Sequence, residues 1–238
     1  MLIYFSKFKT FEFFSFITNK EIDWSFFFLN KSSKMFYFVF MMMLTTIISA
    51  KCPKDMIEFP TFCIDKYEAP NQEGVIPFAF QIASDGETWC KTKGKRLCHE
   101  KEWEFSCSSK FNFLYPYGNQ HKKSHCNDDK IWKNPNWNLL AKYPKSEAMK
   151  EAKRLYQGDK SGFRKECKSN DGVFDLTGNV GEWVRVDYHP KNYTHVIKGC
   201  YWSKCYKGVL PNCKFRNSAH SQNFRSYEFG FRCCKNIE

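Results

Sequence analysis

The sequence predicts an α+β domain that is low in regular secondary structure and rich in disulfides. Three observations carry that expectation. Apolar runs are short and are broken by Pro, Gly and Asn, as in small strands. The few segments with a helical period are only two or three turns long. All 12 cysteines lie from Cys52 onward and none forms a paired CxxC zinc knuckle, the pattern of an exported chain in an oxidising compartment.

At 238 residues the chain can build one large domain with a real core. Its composition is uneven, with 12 of 25 phenylalanines in the first 40 residues. Residues 35–50, MFYFVFMMMLTTIISA, follow Lys31 and Lys34 and end in Ser49 and Ala50, the plan of a secretory signal cleaved after Ala50. A retained signal anchor is the alternative, although the run falls short of the roughly 20 residues of a comfortable span. Residues 1–34 keep no helical or strand period and read as an unstructured or mis-assigned leader, Met35 being a natural start. The folded domain is then expected over 51–238. Cys52 does not stand where a bacterial lipoprotein signal needs its cysteine.

Within that domain, Met56 to Phe59 and Phe62 to Tyr67 read as two short strands parted by Pro60, with Cys52 and Cys63 placed to staple the hairpin. Glu68 reads as a structural hydrogen-bonding acid. Ser84 and Glu87 suggest a capping box for a helix that carries Trp89 and Cys90 and stops at Gly94. A second helix is expected over Arg96 to Cys107, with Glu100 and Glu102 in its first turn and with Trp103 and Cys107 on one core-facing side. His125 reads as a solvated loop residue. KSEAMKEAKRLYQG, ending at Gly158, reads as a basic surface helix, and Phe229 to Cys233 as a terminal strand.

GVFDLTGNVGEWV, Gly172 to Val184, organises the rest. Its three glycines let the main chain fold back and turn carbonyls inward, while Asp175 and Glu182 supply carboxylates. A hard cation such as calcium takes six to eight such oxygens. The plainer alternative is a polar turn capped by buried Trp183.

FCIDKYEAPN, GKRLCHEKEWEFSC, YPYGN, GVFDLTGNVGEWV, the KGCYW step and the terminal GFRCC, in that order, resemble the formylglycine-generating enzyme (sulfatase-modifying factor) family over residues 52–234. The resemblance implies a fold related to C-type lectins, with short helices on a twisted sheet and long loops over one face. It implies calcium bound by the Asp175 side chain, the carbonyls of Gly178 and Val180 and the Glu182 carboxylate. Asn127 resembles the start of a second calcium site. It also implies disulfides Cys90–Cys233 and Cys107–Cys213, leaving Cys98, Cys126, Cys167, Cys200, Cys205 and Cys234 unassigned.

The family's enzyme oxidises a sulfatase cysteine to formylglycine with oxygen and copper held by two cysteines five apart. In that register this chain has Ser203 and Gly208, with Lys204 at the active-site histidine position and Cys200 for a serine. A soft cuprous ion needs thiolates, so copper is not expected. Cys200 and Cys205 are also five apart and could form a displaced catalytic pair, the alternative being a local disulfide. Tyr201, Trp202 and Ser203 are expected on the substrate face. From residue 51 onward 32 Lys and Arg face 22 Asp and Glu, a formal charge of +10, which suits a protein or anionic glycan partner, or a membrane if the signal segment is retained. No stripe of Arg and aromatics marks a nucleic-acid module. Asn192, Tyr193 and Thr194 form a glycan acceptor string. The sequence thus points to an exported, calcium-stabilised binding module without catalysis, the alternatives being a formylglycine-generating oxidase that uses the displaced pair and a structural or assembly component.

Overall fold

A computed structural model of the chain describes residues 52–203, 205 and 208–237. The leader and signal segment lie outside the described residues, as does Lys204. Two four-stranded sheets, each built from short strands, are joined by four short helices. The first sheet runs β1 (Met56–Glu58), β2 (Phe62–Asp65), β8 (Cys233–Asn236), β3 (Arg96–Leu97), all antiparallel. The second runs β6 (Arg216–Asn217), β5 (His195–Lys198), β4 (Gly181–Arg185), β7 (Phe229–Phe231), with β4 and β7 parallel. The helices are α1 (Ala83–Thr92), α2 (Glu100–Ser108), α3 (Trp137–Leu140) and α4 (Ser146–Leu155).

Several local expectations shift, each for a physical reason. The cap of α1 is not the Ser84–Glu87 box: the Asp85 carboxylate accepts the Ile82 N–H at 3.0 Å, which starts the helix two residues earlier. Glu87 is thereby free to pair with Arg185 and His195. Gly94, at φ +65°, does follow the helix end, where a left-handed residue is needed. Arg96 and Leu97 are strand rather than helix, because they pair with Cys234 and Cys233. The second helix begins only at Glu100, where Glu102 accepts the His99 N–H at 2.8 Å. The expected terminal strand divides at Arg232, with Phe229–Phe231 in one sheet and Cys233–Asn236 in the other. The basic helix ends at Leu155, before Gly158.

This sheet switch places the core. Trp103, Leu176, Val184 and Val196 pack under α2 on one side, while Trp183, Leu97, Phe231 and Ile197 pack under α1 on the other. All of them are buried, and each such side chain contributes roughly 1.5–3 kcal/mol. Six disulfides cross-link the chain: Cys52–Cys63, Cys90–Cys233, Cys98–Cys234, Cys107–Cys213, Cys126–Cys167 and Cys200–Cys205. Adjacent Cys233 and Cys234 hold α1 and the segment before α2 to one strand, so β8 is the hub of the first sheet. Lys198, wholly buried, anchors β5 to α2 through Glu104 at 2.6 Å.

Candidate functional site

The glycine-turn segment folds as its residue types dictate. Gly178 sits at φ +77°, and a Cβ there would lie 2.3 Å from the Asn127 carbonyl oxygen, so only glycine allows the segment to approach. Asp175 and Asn179 also adopt positive φ, 57° and 53°. The turn brings Asn179 against Glu68 and Asn127. Its amide donates to Glu68 Oε1 at 2.8 Å, and its Oδ1 accepts from Asn127 Nδ2 at 3.2 Å. Glu68 Oε2 accepts from Ser161 Oγ at 2.8 Å, so this acid is structural, in agreement with its sequence reading.

Three buried carboxylates, Glu68, Asp175 and Glu182, face one buried guanidinium, Arg232. Arg232 spans both oxygens of Glu182 at 2.6 and 2.7 Å and also donates to the Phe174 carbonyl, while Trp103 Nε1 donates to Glu182 at 2.8 Å. Burial, then repulsion from Asp175, raises Glu68 well above the usual carboxylate range. Burial pushes Asp175 up to about 7, against the Gly162 N–H that its Oδ2 accepts at 2.7 Å. Arg232 takes up the charge of Glu182, and burial favours the protonated forms of Glu68 and Asp175, so a divalent cation here would have to displace their protons. Glu182 is moreover already shared with Arg232 and Trp103. Among the described residues no group of three or more His, Cys, Asp or Glu side chains could hold a metal ion, so any ligand set here must draw on main-chain carbonyls, such as those of Gly178 and Val180. Beside it, Asn127 Oδ1 and Asp128 Oδ1 are buried without a hydrogen-bond partner among the described residues.

A second feature is a groove of 850 Å³ walled by the Cys200–Cys205 disulfide, Ile197, Phe215, Phe229, His220 and Glu228. Burial pushes Glu228 up to about 7, partly offset by the Ser226 hydroxyl. Burial, then nearby Lys191, lowers His220, whose ring stacks on Phe224 at 3.9 Å. The chemistry offered is therefore a neutral imidazole and a carboxyl that titrates near neutrality. Tyr201 lines this groove. Trp202 does not reach it: it is buried against Tyr156 and Tyr227 as core. Ser203 is buried too, bridged to Lys130, so of the three expected substrate-face residues only Tyr201 is on the groove.

Cys200 and Cys205 are bonded to each other, and no cysteine is free. The groove thus presents no thiolate, and the residues that line it do not fit a cuprous ion, which needs such ligands. The displaced catalytic pair is in this respect corrected to a local disulfide. Sequence reasoning missed Arg232, Glu228 and His220. Arg232 stood in the GFRCC motif, where its separation of 50 residues from Glu182 left no local signal.

The sulfatase-modifying factor enzyme 1-like domain matches residues 82–237. The chain is 27% identical over 163 residues to the mouse protein named inactive C-alpha-formylglycine-generating enzyme 2, covering 66% of this chain and 48% of the relative. It is 29% identical over 172 residues to mouse formylglycine-generating enzyme, covering 63% and 41%. The chain thus spans less than half the length of both. Among solved structures, PvdO from Pseudomonas aeruginosa superposes with a TM-score of 0.49 at 17% identity, covering 74% of this chain and 80% of that one. The fold is α+β and formylglycine-generating-enzyme-like, disulfide-rich, with short elements. With the match extending from the start of α1 to the end of β8, the chain belongs to the sulfatase-modifying factor enzyme 1-like domain family.

Proposed function

We propose that this chain is an exported, non-catalytic binding module of its family, which takes a protein or anionic glycan ligand and holds no copper in its groove. The observation that carries this reading is the bonded Cys200–Cys205 pair beside Ser203 and Gly208: the groove is formed, but the thiolates that would make it a copper centre are absent. A mouse relative is itself named inactive, which supports the reading. Six disulfides support an oxidising destination such as the periplasm, the cell surface or the medium. The test is a thiol titration of the denatured, unreduced protein together with cuprous-ion binding. No titratable thiol and no cuprous binding are expected; two thiols mapped to Cys200 and Cys205, with stoichiometric copper, would overturn the reading.

Calcium is the proposed stabiliser of the module, at Asp175, the Gly178 and Val180 carbonyls and Glu182. The gathering of three buried carboxyl groups, Glu68, Asp175 and Glu182, about one arginine supports it. The carboxylate repulsion that calcium would relieve is the one already felt between Glu68 and Asp175.

A further inference from the structure

Exposed large apolar side chains gather in one basic segment that the groove does not use. Ile131 is 87% exposed, Trp132 and Trp137 51% each, and Tyr143 and Met149 are also exposed. A solvent-facing cluster of this kind on a soluble fold marks an interaction surface. The segment 130–160 carries eight lysines and arginines against three acids, and Lys142, Lys145, Lys150 and Lys153 form no ion pair with a described residue, while Lys133 Nζ, also without an ion pair, donates to the Arg154 carbonyl at 3.0 Å. Each indole rests against Tyr227. Trp132 Nε1 donates to Tyr227 Oη at 3.1 Å, and the Trp137 ring lies 6.3 Å from that of Tyr227 and 6.5 Å from that of Phe224. Both tryptophans thus share one support, Tyr227, through its hydroxyl for Trp132 and its ring for Trp137. Beside them, Asn134, Pro135, Asn136, Trp137 and Asn138 line an open cleft of 490 Å³.

We infer that this face is a docking platform for an acidic oligosaccharide, one carrying sulfate or carboxylate groups. This takes up the glycan branch of the proposed function and assigns it a site outside the groove. An aromatic ring fixed before binding offers its apolar face to a sugar ring without losing rotamer freedom. Amides at the cleft rim match hydroxyls as both donors and acceptors. Unpaired lysines match sulfate or carboxylate through charge-assisted hydrogen bonds. A second copy of the chain is the poorer occupant, since a two-fold contact would set this basic face against itself.

The test is titration calorimetry of the full chain with a heparin-derived hexasaccharide and with a neutral hexasaccharide, at low and physiological salt. Binding of the acidic sugar alone is expected, weakened at least tenfold by Trp137→Ala and again by Lys133→Gln with Lys142→Gln, and unchanged by Lys101→Gln, an exposed lysine outside the segment. Melting curves of the variants, which alter exposed side chains, should match the parent. Binding that the lysine changes weaken and Trp137→Ala does not would reduce the site to unspecific ion exchange and overturn the inference. No binding to the sugar, with capture by anionic lipid vesicles that Trp137→Ala abolishes, would assign the face to a bilayer and overturn it equally. Either failure leaves the non-catalytic reading standing, because that reading is decided by thiols and copper.

Discussion

Glu182→Gln is the sharpest single perturbation of this fold. It keeps the shape of the side chain and removes its charge, so it leaves Arg232 buried with a neutral partner. Both groups are shielded from water, and Arg232 makes two short bonds to Glu182 plus bonds to the carbonyls of Phe174 and Asp65. Breaking one partner of such a pair costs about 3–5 kcal/mol, because the remaining charge stays desolvated. For a domain of this size each kcal/mol moves the melting point by roughly 2–4 °C, so a fall of about 10 °C is expected. Chemical denaturation of Glu182→Gln, Arg232→Met and the double variant would measure it. The double variant should lose less than the sum of the singles, since no orphaned charge remains. A loss below about 1 kcal/mol in Glu182→Gln, or strict additivity in the cycle, would refute the claim that the pair is a shielded unit.

The other expectations follow from the same geometry. Excess chelator should lower the melting temperature of the parent protein, and Asp175→Asn or Glu182→Gln should remove that sensitivity; an identical melting curve with and without chelator would count against calcium. Opening Cys107–Cys213, which closes a separation of 106 residues, should cost roughly 5 kcal/mol by loop-closure entropy, against roughly 2 kcal/mol for Cys200–Cys205 with its separation of 5. Equal losses in Cys107→Ser and Cys200→Ser would contradict that ordering. Glu228 has a raised folded pKa, about 7 against 4.5, so its contribution is fully present below about pH 4.5 and is lost as the pH rises through 7. Between pH 5 and 8 the parent should therefore lose on the order of 2 kcal/mol more than Glu228→Gln, read from denaturation midpoints; parallel pH profiles would exclude a protonated Glu228.

Local signals carried the parts of the fold that are decided locally. Gly94 marked the end of α1 because its left-handed backbone is a single-residue requirement. The β1–β2 hairpin was legible because its strands are neighbours in sequence. What escaped was set at a distance. Arg96 and Leu97 carry a helical period, yet their backbone groups are claimed by Cys234 and Cys233 from the far end of the chain. The run Phe229–Cys233 is uniformly strand-forming, and nothing in it reports the change of sheet at Arg232. Within the site, the glycine turn and its acids could be read from residue type, whereas their counter-charge could not, because a bidentate arginine leaves no spacing rule. Tyr201 and Trp202 are adjacent, and which of the two reaches the groove depends on how Tyr156 and Tyr227 pack against Trp202.

The central claim, that the formed groove does no oxidation, is tested most directly by mass spectrometry of a peptide carrying the sulfatase cysteine motif after incubation with the protein, cuprous ion and oxygen. The bonded Cys200–Cys205 pair and the Ser203 and Gly208 positions predict that the peptide keeps its thiol. Loss of the thiol with gain of an aldehyde, abolished in Cys200→Ser or Cys205→Ser, would contradict the account and make those two residues a catalytic pair.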